Sequence, residues 1–401
     1  MAYRAQIPYG TYWSTPFAKW QGSLANLNSL ELAAHVAKRE LEKRSIAPET
    51  FDYGVLGMTV PQHHSFYGMP WLMGLIGAGK VGGPTINQAC ATGTRALLTA
   101  AQEIESGLAE TALVVTCDRT SNGPHVYYPS PKAPGGTGGS EDWVLDNFSC
   151  DPLGRHAMID TAENVAGKHQ ISTEQQHALV LRRQAQYQDA LADDRAFQKR
   201  YMTLPFDVPA PNYRKVATTV EGDEGIVASN EEGLAKLRPV REGGSVTYGA
   251  QTHPADGSAA VVVTTPERAR DLSSDPKVAV ELLGFGLART ELAFMPEATV
   301  PSAKRALDQA GLTIADMDAV KSHNPFAVND IVFAKETGAD LEAMNNYGCP
   351  LIWGHPQGPT ALRAIIELIE ELALRGGGTG LFEGCAAGDT AMAAVVRVGD
   401  R

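Results

Sequence analysis

The chain has 401 residues, 43% hydrophobic and 20% charged, with a formal net charge of −12 at pH 7. That length accommodates two or three domains or one large core, and the composition is that of an ordinary globular protein. The acidic sign argues against a general nucleic-acid binder, which needs a basic face, but not against an anionic ligand met by a local Arg/Lys cluster.

In chain order, Asn28 followed by Glu31 predicts a capped helix start, and the spacing of Leu30, Ala33, Ala37 and Leu41 predicts an amphipathic helix running to about Arg44. Residues 53–57 and 112–116 read as buried strands, with a helix over 95–106 between them that Gly107 stops. The Gly- and Pro-rich stretch 123–140 predicts a long loop or insertion, and its run Gly135-Gly136-Thr137-Gly138-Gly139 lacks the Lys-Ser/Thr of a phosphate loop. Tyr127 and Tyr128 there, like Trp13 and Phe17, read as packing or interface residues rather than substrate stackers. A charged helical region follows over 160–193, then strands over 259–264 and 278–287, then helices over about 302–311, 330–338 and 359–375. Both ends thus show a strand, a helix with a reactive residue at or before its start, and another strand, which is the pattern of an α/β protein with buried strands.

The reactive residues stand at those junctions. Cys90 precedes the 95–106 helix, where unpaired N–H groups and the positive end of the dipole favour a thiolate; the alternative is a small packing residue at a strand–helix junction. His323, His355 and Cys385 each stand beside Gly or Pro in short segments near the far end. Together the four supply a nucleophile, two imidazoles and a second thiol able to carry a proton. The five cysteines show no paired metal-ligand spacing and leave one over, so reduced thiols in a cytoplasm, and no metal, are expected. No apolar run approaches the roughly 20 residues that span a bilayer, and the first residues lack a signal-peptide core, so no membrane association is expected.

At these residues the chain resembles the thiolase family. Gln88-Ala89-Cys90-Ala91-Thr92-Gly93 looks like its nucleophile segment, and Met158-Ile159-Asp160-Thr161-Ala162-Glu163-Asn164-Val165-Ala166 resembles a segment of its loop domain. Leu234-Ala235-Lys236-Leu237-Arg238-Pro239, Gly354-His355-Pro356-Gln357-Gly358, Gly384-Cys385-Ala386-Ala387-Gly388 and the run from Pro16 to Leu24 are similar to further family segments, in order along nearly the whole chain. The resemblance implies a thiolase fold: two similar βαβ-rich halves in α-β-α-β-α layers with an inserted loop domain. The N-terminal half would take residues 1–120 with 246–270, the loop domain 121–245, and the C-terminal half 271–401.

It also implies thiolytic cleavage of a 3-oxoacyl-CoA, or the reverse condensation, with Cys90, His323, His355 and Cys385 as the catalytic set. The backbone N–H groups of Cys90 and Ala387 would form one oxyanion hole, and His323 with His355 the other. Met158, Thr252 and Phe326 are expected along the substrate, and Arg238, Arg183 and Lys215 as cations for the CoA phosphates, although each of these charges also reads as a solvated surface group. Coenzyme A would be a co-substrate, with no permanently bound cofactor, in a homodimer or tetramer. His323-Asn324-Pro325-Phe326 stands where many members have Asn-Glu-Ala-Phe, and other changes border the acyl pocket. With the 123–140 insertion, these point to members such as benzoylsuccinyl-CoA thiolase, which work on an aromatic or branched acyl group with a small zinc-ribbon/OB-fold companion protein. Two alternatives remain: a decarboxylating ketosynthase-type condensing enzyme, for which Cys385 has no use, and a non-catalytic CoA-binding subunit.

Overall fold

The computed structural model describes residues 3–401 and consists of two sheet-and-helix halves with a loop-rich segment between them. The N-terminal half contains β1 (Tyr12–Ser14), α1 (Ser29–Lys43), β2 (Tyr53–Gly57), β3 (Thr85–Ile86), α2 (Thr92–Ser106), β4 (Thr111–Arg119) and, much later in the chain, β5 (Ala255–Thr264). Its sheet runs in the order β1-β5-β4-β2-β3, with β4, β2 and β3 parallel and β5 antiparallel to both its neighbours. All ten residues of β5 are buried, as the near-continuous apolar run Ala259–Val263 demands. The side chain of Asn28 caps α1 by accepting from the N–H groups of Leu30 and Glu31, and Leu30, Ala33, Ala37 and Leu41 all face the core.

Between β4 and β5 lie α3 (Met158–His169) and α4 (Thr173–Lys199), the latter broken by left-handed residues at Asp193–Arg195. The 123–140 stretch is no plain loop. Strands His125–Tyr128 and Gly139–Asp142 pair antiparallel there, and the Gly/Pro run forms the hairpin's connection. The strands are too short, and the connection too long, to show in the sequence as two alternating runs around a tight turn.

The C-terminal half holds β6 (Val278–Arg289), α5 (Thr299–Ala310), β7 (Ala319–His323), α6 (Ala327–Thr337), α7 (Gly358–Leu374), β8 (Gly378–Ala386) and β9 (Thr390–Asp400), with sheet order β6-β9-β8-β7. Apolar residues of α2 and α7 share one core cluster with strand residues of both sheets. α1 packs on the other face of the first sheet, and α5 and α6 on the other face of the second, giving five layers. Because α7 is enclosed between two sheets, its charged residues are buried and must be partnered. Arg363 pairs with Asp223 at 2.6 Å and with Glu367 at 3.1 Å, and Glu370 accepts from Tyr12 Oη at 2.6 Å.

The two central helices begin close together. A Cβ on Gly93 would lie 2.8 Å from the carbonyl oxygen of Gly358 and 2.8 Å from the Leu362 nitrogen, so only glycine lets the helix starts approach this far. That approach sets the loop carrying Cys90 against the loop carrying His355.

Candidate active site

Cys90 sits on a tight turn. Ala89 before it has φ +45°, a left-handed conformation unfavourable for a residue with a side chain. Thr92 holds the turn from inside α2, its Oγ1 accepting from Gln88 N–H at 2.8 Å and donating to the Ala89 carbonyl at 2.7 Å. The thiol therefore projects from the head of a helix at an imposed angle. Its Sγ lies 3.2 Å from His355 Nε2 and 3.3 Å from Gln357 Oε1.

His355 is fixed on both sides. Its backbone N–H donates to the His253 carbonyl at 2.9 Å, and its ring Nδ1 lies 2.6 Å from Thr360 Oγ1, one turn into α7. With Nδ1–H donating to Thr360, Nε2 keeps a lone pair facing the Cys90 thiol. Burial, reinforced by His323 nearby, lowers the His355 pKa well below the ordinary 6.5, so the ring is neutral at pH 7. Burial pushes the Cys90 thiol up to about 11, partly opposed by the backbone N–H groups of Ala387 and of Cys90 itself. Burial thus opposes the thiolate that the helix start was expected to favour. The resting pair is thiol and neutral imidazole.

His323 closes β7, wholly buried, with its ring centroid 4.1 Å from that of His355. Gly384 is opposite it in β8, where a Cβ would come within 2.9 Å of His323 Cβ. Neither ring nitrogen of His323 has a hydrogen-bond partner, and burial lowers its pKa to about 3. Cys385, two residues before Ala387, is buried at the end of β8 with its Sγ 3.2 Å from Asn329 Nδ2. Buried Asp118 ties the surrounding loops together. It accepts from the N–H groups of Thr59 (2.8 Å), Val60 (2.8 Å) and Gly358 (2.9 Å) and from Thr59 Oγ1 (2.9 Å). Burial raises its pKa to about 7, against the pull of those four hydrogen bonds.

A cavity of about 670 Å³ opens onto Cys90 and His355, and Met158, Thr252, Phe326 and Ala387 also line it. Tyr128 from the hairpin, Trp143 just after it and Phe148 from the short helix that follows add aromatic side chains to the lining. Tyr128 therefore faces the cavity and is not simply a packing residue. Trp143 is held there by its indole N–H, which donates to the Thr59 carbonyl at 2.9 Å. Trp13 and Phe17 pack in the core, Phe17 edge-on to Trp353.

The phosphate cations fare differently. Arg183 is fully buried, its guanidinium bonded to Asp330 at 2.9 Å, to Gln186 and to the carbonyls of Met344 and Leu341. It cannot reach a phosphate in solvent, and that expectation is corrected. A helical Arg looks the same in sequence whether it faces solvent or a buried carboxylate. Arg183→Met leaves Asp330 buried and uncompensated, and should destabilise the fold by about 3–5 kcal/mol without changing the KM for CoA; thermal unfolding and initial rates check the two parts. Arg238 and Lys215 are exposed and outside the cavity wall, and neither forms an ion pair among the described residues.

Three contacts carried no sequence signal. Gln357 touches the Cys90 sulfur, Asn329 is the side chain bonded to Cys385, and Asp118 ties the Thr59–Val60 segment to the start of α7 at Gly358. Asn324 turns away from the cavity to Asp330 and Cys349. With Cys385 as the proton carrier that the resemblance implies, Asn329 would position it, and Asn329→Ala should remove one hydrogen bond to a group that changes charge, about 1.5–3 kcal/mol, or roughly 10- to 100-fold. The loss should fall on kcat with KM nearly unchanged, and Asn329→Gln should not restore it.

Residues 12–267 match the thiolase N-terminal domain family and residues 276–398 the thiolase C-terminal domain family. An acetyl-CoA acetyltransferase of Chromobacterium violaceum is 31% identical over 95% of this chain and 97% of its own length. The human mitochondrial 3-ketoacyl-CoA thiolase is 27% identical over 96% of both chains. A crystal structure of human mitochondrial 3-ketoacyl-CoA thiolase superposes with a TM-score of 0.89, at 26% identity over 98% of each chain. Another, in complex with CoA, superposes with a TM-score of 0.88 at 26% identity over 99% of each.

Proposed function

Because the chain belongs to the thiolase family and is an acyltransferase that uses coenzyme A, we propose that it cleaves a 3-oxoacyl-CoA, or runs the reverse Claisen condensation, through an acyl group carried on Cys90. The observation that carries this reading is the 3.2 Å contact between Cys90 Sγ and His355 Nε2, with Nδ1 engaged by Thr360. His355 takes the thiol proton as sulfur attacks the 3-carbonyl. The bond between C2 and C3 breaks, its electron pair forming the enolate of the departing thioester. Cys385 gives its proton to C2, and acetyl-CoA or a substituted analogue leaves. The thiol of free CoA then attacks the acyl-enzyme, giving its proton to the Cys385 thiolate, while His355 returns its proton to the departing Cys90 sulfur, so every group ends as it began. Ala387 N–H, Cys90 N–H and His323, joined by His355 once it carries the Cys90 proton on Nε2, supply donors to the oxyanions.

Met158, Thr252 and Phe326 take the acyl group and the pantetheine arm in this reading. Arg238 and Lys215 remain as cations for the phosphates, both exposed. A decarboxylating condensing enzyme generates its carbanion by loss of CO₂, and Cys385 buried against Asn329 would have no work in it.

We infer further that the acyl group is aromatic or branched. Tyr128, Trp143, Phe148 and Phe326 on the cavity wall support this, and no Lys or Arg lines it. A small zinc-ribbon/OB-fold companion would dock beside the hairpin, where Tyr127, Leu145 and Leu153 are exposed apolar groups. A homodimer in the cytoplasm completes the proposal, five free cysteines being in keeping with a reducing compartment. Intact-protein mass spectrometry and steady-state rates with a panel of 3-oxoacyl-CoAs test the substrate. An aryl-substituted 3-oxoacyl-CoA should exceed acetoacetyl-CoA in kcat/KM by at least about tenfold, the worth of burying a ring. A preference for acetoacetyl-CoA would overturn the aromatic reading and leave thiolysis standing.

A further inference from the structure

We propose that Cys90, His323 and His355 form a reversible Zn²⁺ site whose occupation withdraws the nucleophile from acyl transfer; the second half of this statement rests on the thiolase reading, the first on geometry alone. One ligand atom from each residue lies within 4.8 Å of the other two. A tetrahedral zinc with one sulfur and two nitrogen ligands needs edges of about 3.3–3.6 Å. The contact from Cys90 to His355 is already 3.2 Å, so the edges come into range with side-chain shifts of about an ångström.

His323 is the independent sign of a ligand. Its two ring nitrogens are buried and without partners, in a protein interior where such atoms are normally satisfied. A metal ion would satisfy one of them. The catalytic cycle as derived engages it only when an oxyanion is present, so between turnovers the ring has nothing to bond.

The donor set selects the ion. One thiol and two imidazoles, with no carboxylate among the three, suit a borderline-soft ion such as Zn²⁺ and offer little to Mg²⁺ or Ca²⁺. Burial keeps both rings neutral at pH 7, so each has a lone pair for a metal. Thr360 at His355 Nδ1 orients that ring with Nε2 toward the metal, as the outer partners of zinc-bound histidines do. Binding breaks the Cys90 S–H bond, forms a Zn–S bond and releases one proton to solvent, with no change of oxidation state. The fourth position is left for water. The ion enters through the cavity, on whose wall Cys90 and His355 both lie. The three residues come from segments more than 30 residues apart, which is why cysteine spacing gave no sign of a metal.

The test uses the metal-free full-length protein and Co²⁺ as a spectroscopic stand-in, with Zn²⁺ bound per chain measured by equilibrium dialysis. The expected result is one equivalent of metal, with the near-ultraviolet thiolate-to-cobalt band and the intense visible bands of a four-coordinate ion. Cys90→Ala and His323→Ala should each weaken binding by at least about tenfold, since changing an outer partner alone has that effect. Cys150→Ser, which removes the exposed cysteine, should leave binding unchanged. Alkylating Cys90 in the wild-type protein should abolish the thiolate band without relying on a variant that folds. Binding that survives the loss or alkylation of Cys90, or that goes with Cys150, would overturn the proposal. A stoichiometric cobalt site in a protein that forms no acyl adduct would sink the acyl chemistry and leave the metal site standing.

Discussion

Replacing Cys90 by alanine should reduce acyl transfer by roughly 10⁴-fold or more and abolish the mass adduct from any acyl-CoA. The size follows from the role, because no other side chain on the cavity wall offers a nucleophile of comparable strength within reach of His355. Cys385 is buried behind it, and Cys349 is bonded to Asn324. On the same proposal His355 should be indispensable. With its pKa at about 11, Cys90 alone would be ionised in only about one molecule in 10⁴ at pH 7. A neutral imidazole at 3.2 Å removes that deficit by taking the proton as the bond forms. His355→Ala should therefore slow alkylation of Cys90 by iodoacetamide, and alkylation at the wild-type rate would refute the assigned base.

The pH profile follows from the signs of the two shifts. The reactive form, thiol with neutral imidazole, persists from the lowered pKa of His355 up to the raised pKa of Cys90. The kcat/KM profile should therefore be a plateau through neutrality, its acid limb lying below the ordinary histidine pKa of 6.5. A limb centred at or above 6.5 would show that His355 is solvated during turnover.

Cys385→Ala should separate the two halves of the cycle. Acylation of Cys90 by a simple acyl-CoA needs no proton at the α-carbon, so the mass adduct should form at close to the wild-type rate. Carbon–carbon cleavage of a 3-oxoacyl-CoA should fall by roughly 10²- to 10⁴-fold, the usual contribution of a positioned acid or base. Burial raises the Cys385 pKa well above the ordinary thiol value, with the buried carboxyl of Glu383 and Cys90 adding to the effect. The group thus rests protonated, ready to donate. Wild-type cleavage by Cys385→Ala would mean that water or His323 protonates the enolate.

Much of this is legible in the sequence because tight turns betray themselves. His323, His355 and Cys385 each stand in a short segment with Gly or Pro, Cys90 stands just before a helix, and the geometry brings them to one site. The α/β class and most helix limits followed from periodicity within a few residues. What was not legible depends on which faces meet. Asn329 reaches Cys385 only because α6 packs on β8, and nothing in the run Ala327–Phe333 marks that residue from its neighbours. Arg183 lies on a helix with charges all round, so the sequence could not say which of them faces Asp330. The aromatic lining depends on a hairpin with four-residue strands and a ten-residue connection, which read as a loop because Gly and Pro dominate it.

The approach of Gly93 to Gly358 has a consequence for the life of the chain before it is complete. The nucleophile is made in the first quarter of synthesis and its base some 265 residues later. Until α7 docks against α2, Cys90 is an unassisted thiol with no imidazole to receive its proton. A nascent or half-folded chain would lack this pairing. On the proposed mechanism, acyl-enzyme formation through the assisted thiol would therefore report that both halves are in place.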